Sequence, residues 1–127
     1  MKKDRHTTKV VVRIFRSAPC CAAAFFPEIP GTDNPNTCSS YVVVGGHSSA
    51  DTWTSRYSRL PRPGNKEDQA EVKRILYHLR HHYGYRLKIV KRIAPAHRAA
   101  RVKEIERMRS AWSKQAELET ATNGKGV

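Results

Sequence analysis

YVVVGGHSSAD, residues 41–51, decides how this chain is read, because two glycines divide it into an apolar half and a polar half. Val42, Val43 and Val44 are β-branched and favour a strand. Gly45 and Gly46 permit positive φ and end it. His47, Ser48, Ser49 and Asp51 carry short polar side chains that satisfy loose backbone groups, so residues 45–51 read as a tight turn joining two strands. The segments on either side then set the fold.

On the amino-terminal side, residues 38–44 form the strand that enters the turn. Before it comes PEIPGTDNPN, residues 27–36, a loop with three prolines and a glycine. CCAAAFF, residues 20–26, is a short apolar run closed by Pro27 and reads as a strand. KVVVRIF, residues 9–15, reads as another, with Val10, Val12 and Ile14 on one face and Val11, Arg13 and Phe15 on the other. On the carboxyl-terminal side, WTSRYSRL, residues 53–60, alternates as a fourth strand, and PRPG, residues 61–64, breaks it.

Helical signals follow. Asn65 caps, Glu67 and Asp68 occupy the first turn where the helix dipole favours acids, and Val72, Ile75, Leu76, Leu79 and Tyr83 form an apolar stripe up to Gly84. YRLKIVKRI, residues 85–93, alternates as a fifth strand, with Tyr85, Leu87 and Ile89 inward and Arg86, Lys88 and Arg92 outward. After Pro95 a second helix is expected from about residue 96 to 118, with the stripe Ala99, Val102, Ile105, Met108 and Trp112. The order ββββαβα predicts an α+β fold: a small, mainly antiparallel sheet with helices packed on one face and a basic carboxyl-terminal helix. The helix between the fourth and fifth strands can serve as a crossover, which would make one strand pair parallel. The expected organisation is a basic, flexible segment 1–8, one domain over 9–118 and a flexible tail over 119–127.

The 127 residues include 24 Lys and Arg against 11 Asp and Glu, a formal charge of +13. Residues 1–16 carry +5, residues 17–65 none, residues 66–114 +9 and residues 115–127 −1. Such an excess repels itself in the folded state and suits a polyanionic partner: nucleic acid, a nucleoprotein or an acidic protein surface. The candidate contacts are Arg86, Lys88, Lys91 and Arg92 on the fifth strand, then Arg98, Arg101, Lys103, Arg107, Arg109 and Lys114 on the last helix. Lys103, Arg107 and Lys114 fall opposite the apolar stripe, where cations can meet successive phosphates. Tyr83, Tyr85 and Trp112 are interleaved aromatics able to stack on bases, although Trp112 also fits a core anchor. No zinc-finger, homeodomain or RNP signature is present, so backbone contact is expected rather than sequence reading.

Three cysteines, Cys20, Cys21 and Cys38, lack both the even count of a disulfide framework and the CxxC spacing of a metal site; they read as reduced thiols. His78, His81 and His82 share a helix face, with no carboxylate or cysteine to complete a metal site. No cofactor is expected. Lys9, Arg13 and Arg16 interrupt any signal-peptide core, and Ala22 to Phe26 is too short to span a bilayer, so the expectation is a cytoplasmic protein without a membrane partner. His47 and Asp51 could form an acid–base pair with a serine between them as nucleophile, but no nucleophile-elbow context surrounds them. No Gly-Lys-Ser/Thr follows the glycines, so a phosphate loop is not indicated either.

FFPEIP, residues 25–30, followed by CSSYVVVGGHSSAD, residues 38–51, resembles a pattern in short proteins of bacterial mobile genetic elements. The matching positions are Phe26, Pro27, Glu28, Ile29, Tyr41, Gly45, His47, Ala50 and Asp51, and the resemblance covers residues 10–93. It implies a phage or mobile-element context and brings no activity with it. It also implies a polar cluster of Glu28, His47 and Asp51. The expectation is a non-enzymatic basic protein that contacts nucleic acid or a nucleoprotein electrostatically. The alternatives are an inhibitor of a host defence system, such as a CRISPR effector (the anti-CRISPR type), by direct protein binding, and a small enzyme centred on Glu28, His47 and Asp51.

Overall fold

The computed structural model describes residues 7–15, 22–52 and 58–125, with side chains through residue 120. Its strands are β1 (Thr8–Ile14), β2 (Ala22–Phe26), β3 (Thr37–Val42), β4 (Gly46–Asp51) and β5 (Leu87–Ile89), and its helices are α1 (Lys66–Tyr77) and α2 (His97–Lys125). One sheet holds them in the order β4-β3-β2-β1-β5. The first four pair antiparallel in sequence, and β5 lies parallel to β1, Lys9 opposite Lys88 and Val10 opposite Ile89. The α+β class and the ββββαβα order are those expected from the sequence.

Side chains alternate across a strand, so β1 and β2 serve both faces. Val10, Val12, Ile14, Ala24, Phe26 and Tyr41 form one apolar cluster with Ile75, Leu76 and Leu79 of α1. Val11, Ala23, Phe25 and Cys38 form the second, edged by Phe15, Val42, Ala50, Val90 and Ile93. Burial on both sides explains why these two strands read as unbroken apolar runs rather than as clean alternation.

The opening stretch departs from its expected form. Val43, Val44 and Gly45 make the turn, and residues 46–51 form β4, with Tyr41 opposite His47 and Thr37 opposite Asp51. Gly46, at φ 73°, starts the returning strand. The hairpin register follows glycine's left-handed conformation rather than the β propensity of the valines, and Val44 is left 77% exposed at the tip. β4 is an edge strand held by its backbone ladder to β3, which is why serines suffice in it. In the segment expected to be the fourth strand, residues 53–57 lie outside the described residues, and Arg59 makes a single antiparallel bridge to Ile14.

α1 follows the sequence closely. The Asn65 side chain accepts the Asp68 backbone N–H at 2.9 Å. The buried Asp68 carboxylate receives both arms of the Arg59 guanidinium, at 2.5 and 2.8 Å, and the Arg62 backbone N–H at 2.9 Å. That bidentate geometry ties the segment beside β1 to the start of the helix. α1 passes into a π-helical turn, His78–His82, and stops before Gly84.

β5 is shorter than its alternation suggested. Ile89 is 54% exposed rather than inward, and Val90 turns to the second cluster instead. Ile75 and Leu76 of α1, with Leu79 just after it, pack on the Val10 face. The first turns of α2 dock on the β2–β3 loop, where Arg101 reaches the carbonyls of Pro27 and Pro35. Of the expected α2 stripe, Ile105 is buried and Val102 and Met108 are half-buried, whereas Ala99 and Trp112 are exposed. Every described side chain from residue 109 to 120 is exposed, and the helix continues to Lys125 through the segment expected to be a loose tail. No helix among the described residues is long and apolar enough to cross a membrane.

Candidate nucleic-acid interface

The basic residues singled out from the sequence divide into three groups. Arg86, Lys88, Lys91 and Arg92 are exposed on and after the edge strand β5. Lys103, Arg107 and Lys114 are exposed along α2. Among the described residues, acid partners within 4.0 Å are found for Lys9, Arg59, Arg107 and Arg109. Arg86, Lys88, Lys91, Arg92, Arg98, Lys103 and Lys114 have no such partner there, so their charge faces solvent. Arg107 is bound to Glu104 one turn earlier, and the pair is largely exposed, so it holds little energy.

The third group, Arg98, Arg101 and Arg109, contacts the β2–β3 loop. Arg101 is 3% exposed, and its guanidinium donates from Nε to the Pro35 carbonyl at 2.7 Å and from Nη1 to the Pro27 carbonyl at 2.6 Å. It cannot also serve a phosphate, which corrects its place in the expected contact set. Arg101 lies one turn before Ile105 on the docked side of α2, and two carbonyls at the ends of a proline-rich loop offset the cost of burying its charge. Arg98 turns the same way, its Nε lying 3.4 Å from the Asn36 side-chain oxygen, and Arg109 lies 3.9 Å from Asp33. Both remain exposed.

Glu28, His47 and Asp51 are not one cluster. Glu28 pairs with Lys9 at 3.2 Å in a groove of about 510 Å³ that is also lined by Ile29, Lys103, Glu104 and Arg107. His47 and Asp51 sit near opposite ends of β4, and the strand rise separates four residues by about 13 Å. His47 instead meets aromatic rings. Its Nε2 lies 3.1 Å from the Tyr85 hydroxyl, and its ring meets Tyr83 edge-on at 4.7 Å and Tyr41 at 4.9 Å. Burial, and then the Tyr83 hydroxyl, push the Tyr41 phenol above its ordinary value.

Of the three aromatics flagged for base stacking, Tyr85 lies half-buried on Phe26 with ring centres 5.2 Å apart. Tyr83 is 52% exposed, and Trp112 is 65% exposed rather than a core anchor. His78 and His82 stack at 4.7 Å, and among the described residues no three His, Cys, Asp or Glu side chains gather as a metal site would require. Cys38 is buried, and desolvation, opposed by the nearby Arg101 charge, raises its thiol to about 11; Cys20 and Cys21 lie outside the described residues. The sequence reading passed over Tyr77, exposed at the end of α1 and packed on His81. Tyr77 lies off the stripe of Val72, Ile75, Leu76 and Leu79, so the helical period that turns those residues inward leaves it exposed.

No family model, curated protein or solved structure matches this chain.

Proposed function

We propose that this protein is a non-enzymatic binding protein that contacts the backbone of a nucleic acid, alone or within a nucleoprotein, through Arg86, Lys88, Lys91, Arg92, Lys103, Arg107 and Lys114. One observation carries the reading: these exposed cations extend from an edge strand through a loop and along a helix, and all but Arg107 are without an acid partner among the described residues. Holding them together costs self-repulsion that a polyanion would relieve. Contact with phosphates would release counterions, so affinity would fall steeply with salt.

Titration of a labelled random duplex between about 50 and 200 mM salt tests the proposal. Binding should weaken along a straight log–log line. Replacing Arg86, Lys88, Lys91 and Arg92 with glutamine, or Lys103, Arg107 and Lys114 with glutamine, should flatten that line by roughly one unit of slope per lost contact. Absence of salt-dependent binding to any nucleic acid would overturn the proposal.

A second reading, an inhibitor docking directly on an acidic protein surface, is favoured by Trp112. An exposed tryptophan on a helix segment that leaves the domain is of the residue type that anchors protein interfaces. Capture from host lysate with and without nuclease separates the two, because a nuclease-resistant partner that depends on Trp112 belongs to the second.

A further inference from the structure

The aromatic residues near the end of α1 form a surface that the charge argument leaves unused. Tyr77 is 56% exposed and packs on His81, ring centres 4.4 Å apart and planes 30° apart. Tyr77 also meets His82 at 6.1 Å, and His82 stacks on His78 at 4.7 Å. His78 Nδ1 lies 3.5 Å from the Tyr41 hydroxyl, Tyr41 meets Tyr83 at 5.4 Å, and Tyr83 meets His47 at 4.7 Å. The rings therefore form one continuous belt from α1 across to β4. The inner members, Phe26 and Tyr41, are buried in the core, whereas Tyr77, His81, His82, Tyr83 and His47 present themselves to solvent.

Two features identify what fits this surface. The exposed rings are backed by other rings and by the core, so they lose little freedom when a flat ligand covers them. Cations flank them: Arg74 shares a helix face with Tyr77 at the i, i+3 spacing, Arg80 lies in the π-helical turn beside His81, and Arg86 follows Tyr85 directly, all three exposed. Planar faces interleaved with backbone-binding cations match unstacked bases on a phosphate chain. A duplex offers few base faces, since its bases already stack on one another.

We propose that the belt is a stacking platform for the bases of single-stranded nucleic acid, with Tyr77 and Tyr83 as the principal stacking faces and Arg74, Arg80 and Arg86 holding the adjoining phosphates. The proposal rests on the polyanion-binding reading above and sharpens it to a strand form. It selects by strandedness and not by sequence, because every base has a π-face.

The test compares a labelled single strand of roughly 12 nucleotides with a duplex of the same sequence. The single strand should bind more tightly. Tyr77→Ala and Tyr83→Ala should each weaken it on the order of tenfold, leaving both duplex affinity and the salt slope unchanged. Tyr77→Phe and Tyr83→Phe keep the ring and should restore binding, which a general loss of folding would not allow. Equal affinity for both forms, with the alanine variants silent, would overturn the platform and leave the polyanion reading intact. Failure of both forms to bind would overturn both.

Discussion

Arg101 of α2 and Pro27, at the end of β2, are joined by a guanidinium-to-carbonyl hydrogen bond of 2.6 Å, and the same side chain donates to Pro35 at 2.7 Å. A cation counted from the sequence as a ligand contact thus clamps the last helix to the β2–β3 loop. Replacing it should cost stability and spare binding. Arg101→Gln leaves buried carbonyls short of donors and should lower unfolding stability by about 3 kcal/mol, read from urea titration. The folded fraction should keep its nucleic-acid affinity and salt slope. An unchanged urea midpoint together with a flattened salt slope would put Arg101 at the interface.

The Asp68 clasp makes stability depend on acid. Hydrogen bonds from Arg59, and then from the Arg62 backbone, hold the carboxylate down from 3.8 to about 2. Above about pH 4 the carboxylate is ionised in folded and unfolded chains alike, and the contribution is complete. Between pH 4 and 2 the unfolded chain takes up a proton that the folded one refuses, so stability is lost as pH falls through that window. Asp68→Asn should lower the melting temperature at neutral pH by roughly 5–10 °C and remove this part of the acid loss. Parallel wild-type and variant melting curves from pH 5 to 2 would count against the clasp.

Some of this architecture is legible in the sequence and some is not, for identifiable reasons. β1, β2 and α1 announce themselves because their burial is strong and periodic: three valines, a run of alanines and phenylalanines, and a capped helix with Ile75, Leu76 and Leu79 on one stripe. β4 hides because an edge strand needs only a neighbour's backbone, so Ser48 and Ser49 carry no hydrophobic signature. Arg101 and Trp112 are misplaced for opposite reasons. Both lie on the Ile105 side of α2, but the body of the domain ends before Trp112, and a helical period cannot say where a helix leaves its support. The separation of Glu28 from His47 is likewise set by the sheet. Glu28 is met by Lys9 across strands, and His47 by a tyrosine 38 positions away.

Gly31 is fixed by crowding rather than by its own conformation. A Cβ there would lie 2.4 Å from the Ser49 Cβ and 2.7 Å from the Cys38 carbonyl oxygen. The β2–β3 loop therefore lies flat on β3 and β4, and neither backbone can retreat without breaking pairing. Gly31→Ala should cost about 2–3 kcal/mol, and Gly31→Ala with Ser49→Gly should recover part of it by clearing the nearer clash. The double-mutant cycle measures this, and strictly additive losses would mean that the two positions do not touch.

His97 opens α2 and gives the domain a second pH dependence, at a higher pH than that of Asp68. Its Nδ1 accepts the Ala94 backbone N–H at 2.9 Å, which requires that nitrogen to be unprotonated. Burial lowers its affinity for protons, Glu28 opposes the shift, and Lys9 and Arg101 reinforce it. A charged imidazole there would also face the positive end of the helix dipole. With the folded value below the ordinary 6.5, the unfolded chain binds its proton first, so stability is complete above about pH 6.5 and declines as pH drops through the folded value. His97→Asn keeps an acceptor for Ala94 without a titrating group. Its unfolding free energy between pH 7 and 5 should therefore fall less steeply than that of the wild type, and equal slopes in urea titrations across that range would show that His97 does not link protonation to folding.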